Sequence, residues 1–259
     1  LPNVVCTPHL GASTTEAQEN VALQVAEQMS DYLMKGAVSN AINMPSITAE
    51  EAPILKPFIR LSDVLGAFVG QVTDEPIKEI EILYDGVTAT MNTKALTSAL
   101  LAGLIRSQVA DVNMVSAPIM IKEKGIILSE VKRDKSGVFD GYIKLTVTTA
   151  SMTRSVAGTV FSDGKPRFIQ IKGINLDADV GNHMVYITNT DVPGMIGFIG
   201  TTLGAANVNI ANFQLGRDKQ GGDAIALLYV DGPINDEVLS KLTANAAIRQ
   251  AKPLTFNVD

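Results

Sequence analysis

The sequence is short of several things at once. It has one cysteine, Cys6, two histidines, His9 and His183, and no tryptophan. A lone cysteine cannot form a disulfide within the chain, so the fold must be held by its own core. That fits a reducing compartment, and the cytoplasm is the expected location. Basic charge is not in excess either: 21 Lys and Arg stand against 27 Asp and Glu, for a net charge of −6. Without a basic stripe, nucleic acid is not an expected partner. The apolar run 99–105 is far below the ~20 residues a bilayer span needs, and no secretory leader pattern is visible, so no membrane is expected. No strand leads into GxGxxG, the loop that cradles a dinucleotide pyrophosphate. No metal site is assigned.

What is present is a core-forming chain. Its 259 residues are 46% hydrophobic and 19% charged, a globular composition long enough for more than one domain. The chain begins at Leu1 and runs at once into Val4-Val5-Cys6, which reads as a buried strand. The expectation is the tail of a longer protein. After a turn at residues 7–14, Ser13 with Glu16, or Thr15 with Gln18, can form a capping box. Val21, Val25, Met29, Tyr32 and Leu33 then recur on one helical face, and Lys35-Gly36 is a stop. Pro45 marks an expected boundary, and Ser46 or Thr48 can cap the helix that follows.

Residues 46–182 read as a mixed domain with helices first and an antiparallel sheet after. A long apolar helix covers 52–72, and Ile80, Ile82 and Tyr84 alternate in a strand. Helices follow at 95–105 and 113–124, and strands at 126–131, 142–149, 151–161, 167–171 and 173–176. Residues 183–259 read as βαββαβ, a ferredoxin-like pattern whose open sheet edges favour pairing with another copy. Gly197, Gly200 and Gly204 fall inside its first helix. Each costs the helix about 1 kcal/mol against alanine, so they read as a close-packing surface within the domain or across a dimer.

The turn at 189–194 has a chemistry of its own. Asp191 can cap the helix or accept from an ammonium. Asn189 and Asn209 offer amides to either end of a free amino acid, and the helix start near Gly194 offers N–H groups to a carboxylate. Strand, polar turn, Pro193-Gly194, helix and the Val208-Asn209-Ile210 strand together resemble the ACT domain, an amino-acid-sensing module.

The first residues carry a second resemblance. TPHLGAST followed by EAQENVA is similar to the catalytic-histidine segment of the D-2-hydroxyacid dehydrogenases. The resemblance implies that His9 exchanges a proton with the substrate hydroxyl during hydride transfer to NAD, and that His9, Leu10, Gly11 and Ala12 touch the cofactor. With a mixed domain between this segment and an ACT module, the chain resembles the long-form D-3-phosphoglycerate dehydrogenases within that family. The fold class implied is α+β. The end of a Rossmann-type domain with a long helix would occupy 1–45, an intervening domain 46–182, and an ACT domain 183–259. The implied function is the regulatory C-terminal portion of an enzyme oxidising 3-phosphoglycerate, with L-serine as effector at Asn189, Asp191 and Asn209. The implied assembly is a homotetramer built as a dimer of dimers. Some members hold an anion on the intervening domain through basic side chains. Arg167 matches one such position, while the second falls on or beside Asp179, a departure; Arg154 and Lys165 are the substitutes at hand.

Overall fold

The computed structural model describes residues 2–6, 8, 10–134 and 137–257. His9 lies outside them. The chain divides into two compact units, residues 1–56 and 57–259.

In the first unit, α1 spans Thr15–Lys35. Its cap is Thr14 rather than Ser13 or Thr15, with the Thr14 hydroxyl accepting from the Ala17 amide at 3.1 Å. Gly36 ends it in the left-handed region at φ 73°, as the Lys-Gly stop predicts. None of its residues is buried, so the apolar stripe through Met29 and Leu33 stands exposed. The expected strand at residues 4–6 is not formed, and Val5 is 92% exposed. Its apolar side chains find no partner strand to pair with among the described residues. Val38 and Ile47 form an isolated antiparallel bridge.

Helix α2, Ala52–Val72, opens on a reciprocal capping box. The Glu51 amide donates to the Thr48 hydroxyl and the Thr48 amide to the Glu51 carboxylate, both at 3.1 Å. From Leu61 onward α2 is buried along Leu61, Leu65, Phe68, Val69 and Val72. Helix α3, Thr93–Ile105, is buried all round, which fits a helix with no polar face. The two approach closely because three contacts are glycines. A Cβ on Gly66 would meet the Leu104 nitrogen at 2.8 Å, and one on Gly103 the Ala67 nitrogen at 2.9 Å; Gly70 lies equally close to the Leu104 backbone.

The strands of the second unit are β1 (Glu79–Gly86), β2 (Ile127–Arg133), β3 (Gly141–Thr148), β4 (Thr153–Val160), β5 (Pro166–Ile171) and β6 (Ile174–Asp179). They form one sheet in the order β2-β1-β3-β4-β5-β6. It is mixed rather than wholly antiparallel. β1 and β2 run parallel, joined by a crossover through α3 and α4 (Ser116–Glu123), because a parallel pair needs a connection long enough to return the chain. α2 and α3 cover one face: Leu61 and Leu65 press on Gly158, and the Tyr84 hydroxyl meets Thr97 Oγ1 at 2.8 Å.

The ferredoxin-like half follows: β7 (His183–Thr190), α5 (Met195–Ala205), β8 (Ile210–Arg217), β9 (Asp223–Val230), α6 (Asp236–Thr243) and β10 (Ile248–Thr255). Its sheet order is β10-β7-β9-β8. One face packs on α5 and α6 through Val185, Ile187, Ile199, Leu203, Leu228 and Leu242. The Tyr186 side belongs to the other half's core. Phe68 stacks edge-on to Tyr186 at 5.2 Å and lies 5.3 Å from Phe168, which lies 6.1 Å from Phe256. Gln71 clamps Thr255 with two hydrogen bonds, at 2.8 and 3.0 Å. The expected boundary at 182 therefore separates two sheets that share a core.

Candidate functional site

The β7–α5 turn is built around Asp191, and not as a helix cap. The N-cap of α5 is Gly194, at φ 86°, with no side-chain hydrogen bond. Asp191 instead reaches the other side of the sheet end. Its carboxylate accepts from Arg217 at 2.9 Å and from the Gly221 amide at 3.2 Å, while its own amide donates to Gly222. The hydrogen bond from Arg217, then that from the Gly221 amide, hold its carboxyl below the ordinary carboxylate range. Arg217 ends β8 and its side chain is 56% exposed, while that of Asp191 is only 18% exposed, so the pair turns its cationic group to solvent and keeps its anionic group largely covered. Sequence reasoning missed Arg217. The signal was available only after pairing β8 with β9, which sets the end of β8 beside the start of β9 and so beside Thr190.

Asn189 is buried at 2% exposure. Its amide nitrogen donates to the Thr190 carbonyl at 2.8 Å, and its Oδ1 has no hydrogen-bond partner among the described residues. It lines a cavity of about 120 Å³ with Thr188, Lys172, Asp223 and Arg249. Asp223 and Arg249 are ion-paired at 2.8 Å.

Asn209 lies elsewhere. It precedes β8 at the end where Ile210 pairs with Val230, and it donates to Asp231 at 2.8 Å. β8 runs from there to Arg217, so at ~3.3 Å per residue Asn209 stands about 25 Å from Arg217 and Asp191. The chain therefore brings Asn189 and Asp191 together and sets Asn209 at the opposite end of the sheet. A methyl group placed on Gly197, Gly200 or Gly204 would meet nothing within 4 Å, so among the described residues no close-packing partner within the domain lies there, and this face of α5 is open.

Arg167, the candidate anion-binding residue, is enclosed by acids. It pairs closely with Asp179 and at 3.4 Å with Asp163, and its guanidinium lies 5.0 Å over the Phe161 ring. The position that departs from the expected basic pattern, Asp179, is the one that neutralises it.

At the other end of the chain, Leu10 is 54% exposed and nothing lies near Gly11. Ala12 is exposed as well. His9, the remaining residue of that set, lies outside the described residues, and no hydride step is assigned to this segment.

Residues 54–172 match the family described as the D-3-phosphoglycerate dehydrogenase intervening domain, which takes in α2 and most of the six-stranded sheet. The chain is 38% identical over 243 residues to D-3-phosphoglycerate dehydrogenase of Bacillus subtilis, covering 93% of this chain and 46% of that one. It is 38% identical over 251 residues to the enzyme of the same name from Synechocystis, covering 96% and 45%. With that of Methanocaldococcus jannaschii it shares 35% over 245 residues, covering 93% and 46%. The chain thus spans a little under half the length of the curated relatives it matches. With the matched domain near its centre and this similarity running through nearly all of its residues, what the chain resembles throughout is a D-3-phosphoglycerate dehydrogenase.

Proposed function

We propose that the chain is the regulatory C-terminal portion of an NAD-dependent D-3-phosphoglycerate dehydrogenase, which oxidises 3-phosphoglycerate to 3-phosphohydroxypyruvate in serine synthesis in the cytoplasm. In the longer protein His9 serves as the proton donor and acceptor. The C-terminal portion binds L-serine as a feedback effector and holds copies together in a homotetramer.

The observation that carries this reading is the Asp191–Arg217 pair at the end of a ferredoxin-like sheet, with Arg217 open to solvent. A free amino acid is a zwitterion, and the pair offers a carboxylate for its ammonium and a guanidinium for its carboxylate. Asn189 stands beside Asp191 in the chain and supplies an amide at the same end. Asn209, at the far end, enters only from a second copy. β8 is an edge strand, and pairing two β8 edges antiparallel brings residue 209 of one copy towards residues 217–218 of the other. The open glycine face of α5 lies on the same half and gives that assembly a surface on which to close.

The test is calorimetric titration with L-serine, D-serine serving as control. Asp191→Ala and Asn209→Ala each abolish binding of L-serine, and mixing the two variants in equal amounts restores about a quarter of the sites, since about half of the dimers that form are mixed. A mixed dimer keeps one site with both side chains and loses the other twice. No restoration on mixing would place the site within one chain. A dimer that forms but takes no serine would leave assembly as the role of this half, which the open α5 face also favours.

A further inference from the structure

α2 and α3 cover one face of the six-stranded sheet. The other face carries a cavity of about 600 Å³, within the range that encloses a small organic ligand. Leu83 on β1, Ala157 on β4 and Ile169 on β5 make its floor, and Phe139 and Leu176 stand at its sides. This is apolar surface gathered in a concave place, where removal from water is favourable.

The polar groups of the cavity can be counted as charges. Arg133 donates from Nε to the buried Asp85 carboxylate, so its charge is met within the protein. Its second contact is the Tyr142 oxygen, at 2.7 Å. Because that oxygen accepts, the Tyr142 O–H proton is left to donate into the cavity. Lys144 follows two residues later on the same face of β3, is half-buried, and has no ion-pair partner among the described residues. One uncompensated positive charge and one hydroxyl donor therefore sit together at the edge of an apolar floor.

We infer that this cavity binds a monocarboxylate with an apolar body. The carboxylate sits on Lys144 Nζ and the Tyr142 hydroxyl, and the hydrocarbon lies over Leu83, Ala157 and Ile169. The charge count selects a monoanion, since a dianion such as phosphate would keep one charge unmatched by the one cation of the lining without an ion-pair partner among the described residues. The floor selects the apolar body, since a small hydrophilic acid would leave that surface wet. Arg133 acts as a positioning residue, fixing the Tyr142 oxygen. The site is separate from the Asp191–Arg217 end and does not depend on the serine reading.

The experiment is calorimetric titration of the full chain with octanoate, below its micellar range. Octylammonium has the same body with the opposite charge, and inorganic phosphate is the hydrophilic anion. Octanoate is expected to saturate one site per chain, with neither comparison compound binding there and L-serine not competing. Lys144→Met keeps the aliphatic stem and removes the charge, and should weaken octanoate about tenfold or more. An unchanged urea midpoint for this half-buried position shows that the variant is folded. Tyr142→Phe should give a smaller loss. No saturable octanoate binding would overturn the inference. So would binding that survives Lys144→Met, which would place octanoate on the exposed stripe of α1, or phosphate binding more tightly than octanoate.

Discussion

Replacing Gly66 by alanine adds one methyl group at the closest approach of α2 and α3. The added carbon would overlap the Leu100 carbonyl and meet the Leu104 nitrogen at 2.8 Å, whereas carbon normally rests about 3.5 Å or more from its neighbours. Both obstacles are main chain in the middle of a helix, so no side chain can swing aside. The helices must part by roughly 1 Å, and a gap of that size forfeits a quarter to a half of each dispersion contact across the seam. Alanine returns about 1 kcal/mol of helix propensity. The net cost should be about 3 kcal/mol, at the upper end of overpacking in a tight core. Gly197→Ala makes the same chemical change in α5, where nothing lies within 4 Å. There only the propensity gain remains, and a gain of about 0.5–1 kcal/mol is expected. Urea unfolding at low protein concentration, with the slope m unchanged, measures both. A Gly66→Ala variant within 1 kcal/mol of the parent would refute the claim that backbone contact sets this helix spacing. If Gly197→Ala were destabilising in the monomer, the face of α5 would not be open.

Other changes follow from named contacts. Asn235 caps α6 by accepting from the Val238 amide at 3.0 Å, so Asn235→Ala should cost about 1 kcal/mol by the same urea measurement. Phe68→Ala should cost about 3–5 kcal/mol, and because Phe68 touches both sheets, both should still melt in one transition; two resolved transitions would count against the shared core. The Asp191 carboxyl is held below its unfolded value of about 3.9, so its stabilisation is full above that pH and fades as pH falls through the lower folded value. Carbon-detected NMR titration should show this, and Arg217→Met should move the midpoint back up; an unmoved midpoint would deny the ion pair its role.

Much of the fold is legible because its signals are local. The Lys35-Gly36 stop and the Thr48 cap each act within a few residues, and each appears in the structure. What the sequence hides is longer in range. Asp191 looks like a cap until Arg217, 26 residues on, is brought beside it by strand pairing. Asn189, Asp191 and Asn209 look like one constellation because only a helix and two short turns lie between them. An 11-residue helix is about 16 Å long, and α5 carries the chain from one end of the sheet to the other. The parallel β1–β2 pair departs from the antiparallel sheet expected of this stretch, because the two helices between those strands serve as a crossover. Gly66, Gly70 and Gly103 pass as ordinary residues of apolar helices, since nothing in either helix alone says what faces them.

The ring stack of Phe68, Phe168, Tyr186 and Phe256 also bears on modularity. A ferredoxin-like sheet looks like an exchangeable part, and residue 182 looks like the place to cut. Severed there, one piece would bare Phe68 and Phe168 and the other Tyr186 and Phe256, each an aromatic patch seeking cover. The heritable module is therefore the pair of sheets. A recombination that imports a new C-terminal half succeeds only if its back surface already fits the flank of α2, so that flank limits which halves this lineage can acquire.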